Sequence, residues 1–179
     1  MLLLVNKLIN RPVLSLRTGG QVAVTYGCII SPDNLKIEGL YCHDRASKQN
    51  LILLYQDIRN IIDQGIIVND HDVLSTPDVL VRLQDILKLN FSLIGKQVVT
   101  ISKQKVGKVK DFALDSETFY IQKLYIGQSV IKSLSTGQLS VDRTQIVEVT
   151  DAKIVIQEIL KTSKLTSPAA ATSSLSSST

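Results

Sequence analysis

Imidazole, thiol and carboxylate groups are the usual carriers of metal, nucleophilic and proton-transfer chemistry, and the chain has two histidines and two cysteines among 179 residues. Asp70-His71-Asp72 has the composition of half a metal site. Adjacent residues of an extended strand point to opposite faces, so His71 does not share a centre with both neighbours, and a solvated acidic turn is the alternative. His43-Asp44 closes the strand-like stretch Leu40–Cys42, where a surface loop is the expected setting. The two thiols are distant in sequence, and no Gly-rich phosphate loop occurs. The reading is therefore no catalytic residue, no metal ligand and no cofactor, in a chain that is not an enzyme.

Positive charge is the second chemical feature. The formal net charge is +4, and it is unevenly spread: residues 1–76 hold 7 basic and 7 acidic side chains, residues 77–179 hold 13 and 9. The densest group is Lys96, Lys103, Lys105, Lys108 and Lys110, the candidate partner-binding residues. Alternate strand residues share a face, so Lys108 and Lys110 are expected to point the same way. Nucleic-acid readers combine such charge with stacking rings. The chain has 3 Phe, 5 Tyr and no Trp, which weakens that reading against a solvated rim.

The elements that position these groups are visible through an internal repeat. Residues 8–16 match 93–101 at a displacement of 85, residues 22–42 match 106–126 at 84, and Leu51, Ile58, Asp63 and Ile66-Ile67-Val68 match Leu139, Ile146, Asp151 and Ile154-Val155-Ile156 at 88. The second copy reads as strands at Gln97–Ser102, Gly107–Leu114, Phe119–Ile126, Gln138–Val141, Ile146–Val149 and Lys153–Gln157. Ser31-Pro32-Asp33-Asn34 and Asp115-Ser116-Glu117-Thr118 supply turns. Six short strands per copy predict a mainly β chain of two tandem small antiparallel β-barrels.

Between them, Ser75-Thr76-Pro77-Asp78 opens a helix whose apolar side carries Val79, Leu80, Leu83, Ile86 and Leu87. The expected organisation is a first barrel at 1–76, a helical linker at 77–90, a second barrel at 91–161 and a tail at 162–179. That tail holds 7 Ser and 4 Thr in 18 positions and is expected to be disordered.

Counting outward from the Ser31–Asn34 turn sets Cys28 opposite Ile37 and Cys42 opposite Ala23, about 16 Å apart. A disulfide needs Cα atoms within about 7 Å, so free, buried thiols in a reducing compartment are expected. The opening Met-Leu-Leu-Leu-Val is the start of no membrane span, since crossing takes roughly 18–20 apolar residues. A soluble cytoplasmic protein is the expectation.

Gly95-Lys96, Val98-Val99, Val106-Gly107-Lys108-Val109-Lys110-Asp111 and Leu114-Asp115, with the apolar strand that follows, resemble the PRC-barrel family of small β-barrels. Through the repeat the resemblance extends to the first copy, where Asn10-Arg11, Val22-Ala23, Gly27 and Ser31 replace Gly95-Lys96, Val106-Gly107, Asp111 and Asp115. It implies a barrel that docks on other macromolecules, and no catalytic residues. The functional expectation is a non-catalytic protein-interaction or assembly module, an adaptor whose two linked sites gain avidity. An RNA- or ribosome-associated accessory factor using the lysine rim is the alternative, and self-association a third reading.

Overall fold

Val, Ile and Leu at alternating positions bury one face of each extended segment, and these segments are the strands of the structure. The structure, a computed structural model, describes residues 1–127 and 139–158. In chain order it contains β1 (Leu2–Leu4), β2 (Pro12–Ser15), β3 (Gln21–Ser31), β4 (Lys36–Asp44), β5 (Asn50–Leu54), β6 (Ile58–Ile62), β7 (Gly65–Val68) and β8 (Leu74–Ser75). A short helix, α1 (Gln84–Leu89), leads to β9 (Gln97–Thr100), β10 (Lys105–Asp115), β11 (Ile121–Gly127), β12 (Leu139–Asp142), β13 (Ile146–Val149) and β14 (Lys153–Ile156). The tail expected at 162–179 lies outside the described residues. Among the described residues no helix is long and apolar enough to cross a membrane.

The strands form two seven-stranded sheets. The first runs β6-β7-β2-β3-β4-β5-β8; the second runs β12-β11-β10-β9-β14-β13, with β1 added to β10. The same order recurs at the displacements read from the sequence. The bulges recur too: β3 slips against β4 between Thr25 and Gly27 and between Ile29 and Ile30, and β10 slips against β11 between Val109 and Asp111 and between Ala113 and Leu114. Bulges bend and twist a strand, which curls each sheet around its apolar face. One buried cluster runs through both halves, from Leu8, Ile37, Leu40 and Leu53 to Phe112, Leu114, Leu124 and Ile126. Burying each such side chain stabilises the fold by about 1.5–3 kcal/mol.

The expectations are corrected in several details. The ladders are open among the described residues: β12 and β13 end the second sheet and β6 and β8 the first. The 3-10 turns Tyr55–Asp57 and Arg143–Gln145 carry the chain around the corner between consecutive strands that do not pair. Each sheet also contains one parallel pair, β2 with β7 and β9 with β14, which long connections through the other strands permit.

The β3–β4 connection takes Pro32–Leu35, with Leu35 at φ 50°, so the register moves: Cys28 faces Leu40 and Cys42 faces Thr25. Cys28 is therefore diagonal to Cys42, with Cα atoms about 7–8 Å apart instead of 16 Å. Both thiols are free, Cys42 buried and Cys28 partly so, and burial pushes each up to about 12.

The linker is not one helix. Pro77–Val79 and Val81–Leu83 are 3-10 turns, broken at Leu80 (φ −91°, ψ 67°), and only Leu83 of the predicted stripe is buried, while Val79 is 60% exposed. Helix nucleation is costly, and a stretch this short takes its conformation from what it packs against. The unit boundaries drawn at 76 and 90 also leave out a crossing: Leu2–Leu4, numbered with the first half, is hydrogen-bonded to Ala113–Asp115 in the second.

The halves meet in reciprocal contacts. Lys36 bridges Tyr120, its own counterpart at a displacement of 84. On one side the Ile37 N–H donates to the Phe119 carbonyl at 3.0 Å, and on the other the Ile121 N–H donates to the Leu35 carbonyl at 2.8 Å. Tyr55 packs against Phe119 with ring centroids 5.6 Å apart. In the corresponding place Arg143 donates to the carbonyls of Leu35 (3.4 Å), Asn34 (2.5 Å) and Ile121 (3.1 Å). Lys36 sits 3.9 Å over the Tyr55 ring and the Arg143 guanidinium 5.1 Å over that of Tyr120, the same cation–π contact with the roles exchanged. The seam thus has an internal two-fold.

Candidate functional site

The residues singled out for chemistry do not converge. Asp70 is buried at the end of β7, where its Oδ1 accepts from the Ser15 hydroxyl at 2.9 Å and its Oδ2 pairs with Arg17. His71, one residue on, turns the other way and holds Asp44 through Nε2 at 2.7 Å. Asp72 is exposed. Asp44 also accepts from the Ser47 hydroxyl at 2.5 Å and the Ser47 amide at 2.6 Å, and these bonds hold its carboxyl down at about 2. Each carboxylate is occupied in tying a loop to the first sheet. His43 is exposed and stacks on Tyr26.

The five lysines separate into three sets. Lys108 pairs across from Gln97 of β9, and Gln97 pairs across from Lys153 of β14, so Lys153, Gln97 and Lys108 form a row on one face with the outer two about 10 Å apart. Lys110 is the extra residue of the bulge between Val109 and Asp111, and its stem lies over Gly127, where a Cβ would come within 2.3 Å of it. This site explains the glycine and adds a third charge beside the row. Lys96 is partly buried, 4.4 Å over the Phe91 ring, and donates to the Asp151 carbonyl at 2.5 Å. Lys103 and Lys105 lie at the far tip of the β9–β10 hairpin, about three residues or 10 Å along the strand from Lys108. Lys153, missed in the sequence reading, joins through the parallel pairing of β9 with β14, which no local pattern announces.

Two further features were also missed. Tyr26 stacks between Tyr41 (5.6 Å) and His43 (4.2 Å) on the outer face of β3 and β4, brought into line by the bulge at Tyr26. Beside this stack opens a half-open cavity of about 330 Å³, with walls from both halves of the chain, among them Val5, Tyr26, Ile29, Ile86, Phe91 and Phe112. Apolar walls with a few polar groups at the edge are the usual makeup of a binding cleft.

The second sheet, with its strand order, its paired bulges and the lysine-bearing β10, can be set beside known families. Residues 90–159 match the model of the PRC-barrel domain. Over these residues the chain is similar to a PRC-barrel domain. No curated protein matches the chain. The PRC-barrel domain is an interaction and assembly fold, and in this chain it contains the lysine row, Phe91 and Phe112, while β1 from the other end of the sequence completes its β10 edge.

Proposed function

We propose that the chain is a non-catalytic protein-interaction and assembly module in which the first half repeats the PRC-barrel fold of the second, so that two PRC-like barrels act as one body. The observation that carries the reading is the reciprocal seam: Lys36 meets Tyr120, and its flanking amides exchange bonds with their own counterparts. Such an arrangement uses up the surface by which each unit would pair with a second copy and leaves the outer faces and the cavity for others. The titratable groups support a scaffold, since Asp44, Asp70 and His71 are each engaged in loop ties.

A second reading, an RNA- or ribosome-associated factor, is favoured by the row of Lys108, Lys110 and Lys153. Salt separates the two. The tagged full chain, incubated in native extract and cross-linked, is expected to retain protein partners after nuclease treatment and a salt wash. Phosphate contacts weaken about ten-fold or more over the same rise in salt. Retention abolished by nuclease transfers the function to the RNA reading, and retention no greater than that of a tag control rejects both.

A further inference from the structure

The cavity beside Tyr26 arises from a difference between corresponding positions of the two sheets. Cys28 faces Leu40 across β3 and β4 as Phe112 faces Leu124 across β10 and β11, and Gly27 matches Asp111 just past a bulge. Cys28 and Phe112 both line the cavity, as do the matched pairs Val5 with Asn90 and Ile9 with Ile94. The cavity is thus built from corresponding positions of both halves, with a ring on one side and a small thiol on the other. α1 adds room. Leu87–Leu89 correspond to Leu2–Leu4 at a displacement of 85, yet they form the last turn of α1, which packs on β3, whereas β1 is hydrogen-bonded to β10. A paired strand lies about 4.8 Å from its neighbour and a helix with its side chains is about 10 Å across, so α1 covers β3 from a greater distance.

We infer that this cavity is a binding site for a small neutral molecule carrying an aromatic ring. The inference goes beyond the interaction reading and does not depend on it. The ring is argued from Cys28, which stands where its counterpart Phe112 has one; Phe91, Phe112 and Tyr26 provide aromatic walls against which a further ring packs edge-to-face or offset. Neutrality is argued from the lining. Among the described residues no wall residue is an acid or a base, although 20% of the chain is charged. Burial raises the Tyr26 and Tyr41 hydroxyls above their ordinary value, so they too are uncharged. A charged group entering here would lose hydration with no partner to replace it. Two other depressions differ in this respect: Arg17, Asp57 and Asp72 line one, Arg59 and Glu117 the other. Size limits the ligand. An apolar cavity of about 150 Å³ holds one benzene, so about 330 Å³ takes a molecule of one or two rings. Phe91 and Phe112 are buried, while Ile94 is 47% exposed and marks the mouth, where Asn90 and Ser92 offer hydrogen bonds to one polar end.

The test is a titration of the isotope-labelled full chain with indole, followed by NMR and by indole fluorescence, which the protein does not obscure because it has no Trp. Saturable shifts are expected at the amides of Gly27, Cys28, Phe91 and Phe112, with blue-shifted emission and half-saturation below about 1 mM. 1-Octanol, neutral and of similar size but without a ring, should bind about 2–10-fold more weakly. Indole-3-carboxylate should bind at least about ten-fold more weakly, because its charge has to be desolvated. Cys28→Phe supplies the ring from the chain itself and should abolish indole binding. Where overpacking keeps that variant from folding, Ile94→Glu decides: it should weaken indole binding several-fold while moving the melting temperature by less than about 2 °C. No saturable shift, shifts confined to other residues, equal binding of octanol or of the carboxylate, or undiminished binding by either folded variant each overturns the site. The extract experiment reads protein partners and is unaffected by that outcome, so the two inferences fail separately.

Discussion

Replacing Arg143 with alanine isolates what the seam contributes. The guanidinium reaches three carbonyls, Asn34, Leu35 and Ile121, two of them in the other half of the chain, and lies over the Tyr120 ring. Hydrogen bonds from a charged donor are worth about 1.5–3 kcal/mol each when buried, but Arg143 is half-buried and water can rehydrate the freed carbonyls, so the summed loss should be about 2 kcal/mol. For a chain of this length that lowers the melting temperature by about 4–8 °C. Scanning calorimetry is the assay. The wild type and the variant should each give one transition, because the main-chain bonds at Ile37 and Ile121 and the common core make the halves one cooperative unit. Arg143→Lys should recover less than half of the loss, since one ammonium cannot reach three acceptors in the fork geometry. An unchanged melting temperature, two separate transitions in the wild type, or full rescue by lysine would refute the reasoning.

Val109 is fully buried in β10, so Val109→Asp places an uncompensated charge in the core and should cost more than about 4 kcal/mol, read as loss of the cooperative melt. Lys108→Glu with Lys110→Glu changes two exposed side chains; stability should move by less than about 0.5 kcal/mol, and retention of RNA, if the second reading holds, should fall in a filter-binding assay. The Asp44 carboxyl is held down to about 2 in the folded chain by its bonds from Ser47, below its unfolded value near 3.8. Its contribution is therefore complete above about pH 4 and lost as pH falls toward about 2. Denaturant titrations across that window should show a decline that Asp44→Asn flattens.

The strand cores of the second half were legible because each buries one face and so alternates; the predicted starts and ends fall within two residues of those in the structure. The strand order that the two sheets share was legible for the same reason, since residues that fill equivalent core positions keep their type while turns take the insertions. The lysines were legible as a group but not as an arrangement: Lys108 and Lys153 share a row through the parallel pair β9–β14, and Lys110 rests on Gly127 through a bulge. The break at Leu80 in the linker and the longer Pro32–Leu35 connection were hidden because single backbone angles, φ 50° at Leu35 among them, depend on what the loop packs against.

By itself the sequence determined what local periodicity can encode: aliphatic strands, the turn residues and the excess of positive charge in the second half. Only the tertiary structure decided which strand lies on which edge. β1 crosses to β10, Lys36 finds Tyr120, and α1 stands where a strand would match, because these pairings join residues up to about a hundred positions apart, whose loop-closure cost is met by burial across the whole seam and not by any pattern within a segment.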